Sequence, residues 1–143
     1  MSRLAAVLSA LVVLLAGCGG GGAPQKGAEA SKVPGVGVVK TGADGVQEIT
    51  LETPDDYVFI PKAFTVDPGR VRVTVVSVAK ATTHNFTFTP GAGPEEIPQG
   101  ISLLAPGDTK TVEFTVAVPG DHPFECSFHA QLGQVGTMTV RAP

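Results

Sequence analysis

Charge is scarce in this chain: only 16% of its 143 residues are Asp, Glu, Lys or Arg, and the net charge is −3. A nucleic-acid partner needs a basic footprint, which this balance excludes. A helical period is missing as well, for no segment sustains apolar residues three and four apart, and no internal repeat is evident. The apolar run from Leu4 to Leu15 falls short of the ~20 residues that a membrane-crossing helix needs. Histidine occurs three times, at positions 84, 122 and 129, and leaves no second cluster for an enzyme with several metal centres. Cysteine occurs twice, at positions 18 and 126, which in an exported chain would ordinarily read as one disulfide.

What is present is turn chemistry and β-branched alternation. With 18 glycines and 12 prolines, the composition favours short strands between tight turns. Val46 to Leu51 alternates and reads as a strand, and a second strand region, Tyr57 to Val66, is broken at Pro61. Asp67-Pro68-Gly69-Arg70 is a turn, because proline presets the first turn angle and glycine takes the positive one. Val71 to Val78 alternates most regularly, and His84 to Thr89 places His84, Phe86 and Phe88 on one face. Thr89 to Gly100 is a long Pro- and Gly-rich connection. Thr111 to Val118, His122 to Cys126 and the closing segment with Gly136, Met138 and Val140 on one face complete the set. About seven short strands at this spacing predict an all-β, antiparallel β-sandwich.

The beginning of the chain is of another kind. Arg3 followed by the Leu4–Leu15 run predicts a signal peptide over residues 1–17. Leu15-Ala16-Gly17-Cys18 resembles the lipobox of bacterial lipoproteins, which implies that Cys18 carries acyl chains and anchors the protein to a membrane. Residues 18–45, the lipidated cysteine and a Gly-, Ala- and Pro-rich stretch, read as a flexible tether, and residues 46–143 as the folded domain. With Cys18 engaged by lipid, Cys126 has no disulfide partner, and a thiol outside the cytosol is exposed to oxidation unless something occupies it.

Cys126 and His129 stand three positions apart just before the closing strand, a soft sulfur and an imidazole at a spacing that suits a transition metal. The good upstream source of another donor is His84, in Thr83-His84-Asn85-Phe86. Two imidazoles, a thiolate and a weak axial donor are what a blue-copper centre requires.

The segment from Val46 onward resembles the cupredoxins, the Greek-key β-sandwiches that hold type 1 copper. The resemblance rests on His84-Asn85-Phe86, on Pro119-Gly120 leading to Phe124 and Cys126, and on the plastocyanin-like loop from Cys126 to Gly136. It implies one copper per chain, with His84, Cys126 and His129 as equatorial ligands. The family's usual axial methionine falls on Gln134, so the ligand set is similar to that of the stellacyanins. Met138 is the competing axial donor, although alternation makes it a core residue. The neighbourhood of Asn85 is implied to hydrogen-bond the cysteine sulfur and join the two ligand strands. His122 stands four strand positions from Cys126, more than ~10 Å away at ~3.3 Å per residue, and is read as structural or partly exposed. Phe128 packs over the loop or faces a partner, and the acid pairs Asp55-Asp56 and Glu95-Glu96 read as solvated surface.

The function expected is electron transfer between redox proteins outside the cytoplasm, on the periplasmic or outer cell-surface side, by a monomer tethered through Cys18. Copper delivery or buffering is the alternative. No enzymatic activity, no small-molecule substrate and no substrate pocket are expected.

Overall fold

The computed structural model describes residue 31 and residues 33–143; the signal peptide and Cys18 lie outside the described residues. Nine strands form two sheets: β1 (Lys40–Thr41), β2 (Gln47–Thr53), β3 (Ala63–Val66), β4 (Gly69–Ser77), β5 (His84–Phe88), β6 (Ile101–Leu104), β7 (Thr109–Val116), β8 (Gly120–Glu125) and β9 (Val135–Val140). One sheet runs β1-β2-β4-β7 and the other β3-β9-β8-β5-β6. Among the described residues the one helical element is a 3-10 turn, Ala130–Leu132.

Alternation decides which side of each sheet faces in. In β4 the side chains of Val71, Val73 and Val75 are buried while those of Arg72, Thr74 and Val76 stand on the other face. Each fully buried valine or phenylalanine contributes ~1.5–3 kcal/mol relative to exposure. Between the sheets, Phe59, Phe86 and Phe124 meet with ring centroids 5.1–5.9 Å apart, joined by Phe64, Phe88 and Phe114. The outer face of the four-stranded sheet carries an ion-pair network in which Arg72 meets Glu113, Glu48 and Asp44.

Several details differ from the sequence-based expectation. Both sheets are mixed rather than wholly antiparallel, because β2 runs parallel to β4 and β3 parallel to β9. Parallel neighbours arise where the turn at Asp67-Pro68 carries the chain from one sheet to the other instead of closing a hairpin. The strand count is nine rather than about seven, since β1 and β6 carry no alternation to read. Tyr57 to Pro61 is not a strand: Tyr57 adopts a left-handed φ of 57°, and Ile60 alone bridges to Glu52. The stretch before residue 46 is not all tether, for Val36 bridges Thr50 and Lys40–Thr41 pairs with β2.

Two loops at one end of the sandwich are tied together by Asp55. Its carboxylate accepts from the backbone N–H groups of Lys80, Ala81 and Thr82 at 2.9–3.2 Å. Those bonds hold its pKa well below the usual carboxylate range. The loop that Asp55 grips leads directly into β5, whose first residue is His84.

Candidate metal centre

His84 opens β5, and Cys126 follows the last residue of β8, the strand beside it. The chain then turns tightly. His129 N–H donates to the Cys126 carbonyl at 2.9 Å, Leu132 N–H to that of His129 at 2.9 Å, and Gly133 ends the turn in the left-handed region at φ 91°. Cys126 N–H donates to the Gln134 carbonyl at 3.0 Å, which closes the loop and starts β9. Cys126, His129 and Gln134 thus come from one closed turn and His84 from the neighbouring strand.

The ligand-type atoms of His84, Cys126 and His129 all lie within 4.8 Å of one another, the one such cluster among the described residues. Cys126 Sγ stands 3.4 Å from His129 Nδ1. Gln134 Oε1 stands 3.0 Å from His84 Nδ1 and 3.1 Å from His129 Nδ1. A carbonyl oxygen only accepts, so each imidazole donates Nδ1–H to it here. To hold a cation at Nδ1, each imidazole would carry its one proton on Nε2 instead and stay neutral, and the Cys126 thiol would be deprotonated.

Burial sharpens the chemistry. His84, Cys126 and Gln134 are fully buried, whereas His129 is half-buried and forms the solvent side of the cluster. Desolvation holds His84 below its ordinary pKa, against the opposing pull of the Gln134 hydrogen bond, and so favours the neutral ligand form. Its Nε2 is buried and completes no hydrogen bond, although the Pro54 backbone acts on the ring in the direction of protonation. Tyr57, held at its left-handed φ, packs its ring 4.6 Å from that of His129. Nothing in the sequence signalled that contact, since the two residues share no strand.

Asn85 joins the two ligand strands as the resemblance implied. Its backbone N–H donates to Cys126 Sγ at 3.4 Å; its side chain donates to Ser127 Oγ at 2.7 Å and accepts from Ser127 N–H at 2.8 Å. Met138 lies away from the cluster, fully buried in the core and paired in register with His122 and Phe64. Gln134, not Met138, brings its side chain to the two imidazoles of the cluster. His122 is buried rather than partly exposed: its Nε2 donates to the Val118 carbonyl at 2.9 Å while Nδ1 has no partner. Phe128 is exposed at 52% rather than packed over the loop. Of the acid pairs, Asp55 and Glu95 do more than face solvent: Asp55 ties the two loops together, and Glu95 accepts from the Ala117 and Val118 N–H groups at 2.8 Å.

A concavity was not expected, yet an open groove of about 430 Å³ runs beside the cluster, lined in part by Asn85, Gly100, Glu125 and Ser127. It lies where β6 meets β5 through an irregular register between His84 and Phe86. None of the cluster's own donors lines it.

One thiol and two imidazoles are a soft donor set that fits copper, and an amide oxygen is a known weak axial partner for it. On a β-sandwich such a set defines a cupredoxin, with one type 1 copper as its cofactor. Residues 47–141 match the sequence profile of copper binding proteins, plastocyanin/azurin family, and the chain belongs to that family. It is 33% identical over 91 residues to plastocyanin of Nostoc punctiforme, a match covering 58% of this chain and 64% of the relative. It is 40% identical over 88 residues to a chloroplast plastocyanin of Oryza sativa subsp. indica, covering 58% of this chain and 54% of the relative. The chain therefore spans less than two thirds of the length of these two relatives. With a chloroplast plastocyanin of Hordeum vulgare it shares 33% identity over 123 residues, covering 81% of this chain and 77% of the relative. Among solved structures, dithionite-reduced auracyanin of the photosynthetic bacterium Roseiflexus castenholzii superposes with a TM-score of 0.58 at 26% identity. That superposition covers 66% of this chain and 97% of the other.

Proposed function

We propose that this protein is a one-electron carrier in which Cys126 Sγ, His84 Nδ1 and His129 Nδ1 hold copper and Gln134 Oε1 is the axial donor. The observation that carries the reading is the convergence of a thiol and two imidazoles to within 4.8 Å, drawn from two neighbouring strands. Bound there, copper supplies exchange of one electron between its +1 and +2 states. The protein's part is to keep the donors fixed, and the β5 and β8 ladder with the closed turn does so. Asn85 N–H, donating to Sγ, draws charge from the thiolate and tunes the site. His129, half-buried among surroundings of otherwise buried donors, is where a redox protein partner approaches.

The carrier is tethered through acylated Cys18 and works outside the cytoplasm, a reading supported by the Leu15-Ala16-Gly17-Cys18 sequence. Copper delivery is the competing function, and the closed donor set on a rigid sandwich weighs against the ready release it requires. The test is a Cu(II) titration of the soluble domain. Intense thiolate-to-copper absorption in the visible is expected, and Cys126→Ser should abolish it; colour retained in that variant rules the ligand assignment out.

A further inference from the structure

The axial assignment depends on which end of the Gln134 amide faces the cluster, and an amide can be turned either way. Thr53 settles it by hydrogen-bond polarity. Thr53 Oγ1 lies 3.0 Å from the Val58 carbonyl oxygen. That oxygen only accepts, so the hydroxyl proton is committed to it. The same Oγ1 lies 2.7 Å from the outer end of the Gln134 amide and, with its proton spent, has only lone pairs to offer. The outer end must therefore be the NH2 group, which leaves Oε1 pointing at His84 Nδ1 and His129 Nδ1. Reversed, the amide would turn two N–H donors toward a cation and set its oxygen against the Thr53 oxygen, both unfavourable in a buried site.

We propose that Thr53 is a positioning residue for the metal centre, fixing the Gln134 amide with its oxygen inward through the relay Val58 carbonyl, Thr53 hydroxyl, Gln134 amide. Thr53 suits the task because it ends β2, is fully buried, and is fixed on the ladder by pairing with Ser77 and by Val78 N–H donating to its carbonyl at 3.0 Å. The bond also crosses the sandwich, from the last residue of β2 in one sheet to the residue just before β9 in the other. The inference rests on Gln134 being the axial donor.

The test compares Thr53→Val, which keeps the shape and removes the hydroxyl, with Thr53→Ser, which keeps the hydroxyl; Thr53→Ala replaces the valine if that variant does not fold. In the metal-free protein, the side-chain amide protons of Gln134 should exchange about tenfold faster in Thr53→Val and at the original rate in Thr53→Ser, as expected for loss of one buried hydrogen bond. After Cu(II) addition, Thr53→Val should alter the electron-paramagnetic-resonance spectrum in the parent background but not in Gln134→Met, whose thioether needs no such partner. Unchanged amide exchange in Thr53→Val overturns the proposal. So does a spectral change of equal size in the Gln134→Met background, which would make Thr53 a general support of the loop. Absence of a copper spectrum in the parent protein would instead strike the metal reading, and amide exchange would still decide the orientation of Gln134.

Discussion

With Gln134 proposed as the axial donor, the redox character of the centre turns on that residue. An amide oxygen is a harder donor than a thioether and supports Cu(II) over Cu(I), so the axial ligand tunes the potential. Gln134→Met should raise the midpoint potential measured by redox titration; an unchanged or lower value would remove Gln134 from the axial position. Its separation of five positions from His129 was enough to prefer it over Met138, whose alternation with Gly136 and Val140 assigned it to the core, where it lies. The residues around the ligands were far less legible. Thr53 is 81 positions from Gln134 and belongs to no motif, and Tyr57 reaches His129 only because the chain takes a left-handed turn that no alternation announces. His122 was read as structural or partly exposed, and of the two it is structural: an outlet for its Nε2 at the Val118 carbonyl, four residues back, lets it be buried.

The element that carries most of the site is the β8 and β9 hairpin with its ligand loop. The ring of Phe124 in β8 lies directly over position 136 in β9, which has no side chain. A Cβ there would fall 2.3 Å from Phe124 Cζ and 2.6 Å from the Lys62 carbonyl oxygen. Phe124 cannot yield easily, since it is fully buried against Phe59, Phe64 and Phe86. Gly136→Ala should therefore destabilise the protein by ~1–3 kcal/mol, the usual cost of overpacking, as read from urea denaturation. A change below a few tenths would mean that the hairpin has slack. Strands with a buried alternate face, such as β4, β7 and β8, were legible within about two residues of their ends, as is usual for such boundaries. β1 and β6 were not, because a two-residue strand and one with the pattern buried-exposed-exposed-buried carry no period of two.

At the scale of the whole molecule, the sandwich brings donors more than forty positions apart to within 4.8 Å of one another. The fold class was legible because turn signals and alternation recur along the entire domain; the parallel pairing of β2 with β4 and β3 with β9 was not, because it depends on which sheet each strand joins. Tethering concerns the same scale. Full-length protein expressed in a bacterium should fractionate with membranes, and Cys18→Ser should move it to the soluble fraction; a soluble parent protein would refute the lipid anchor. The central claim is that one sulfur and two imidazoles share a single copper atom. Copper K-edge X-ray absorption of the loaded domain tests it most directly. One sulfur and two histidine nitrogens are expected in the first coordination sphere; a sphere without sulfur, or with imidazole from a single histidine, would overturn the shared site.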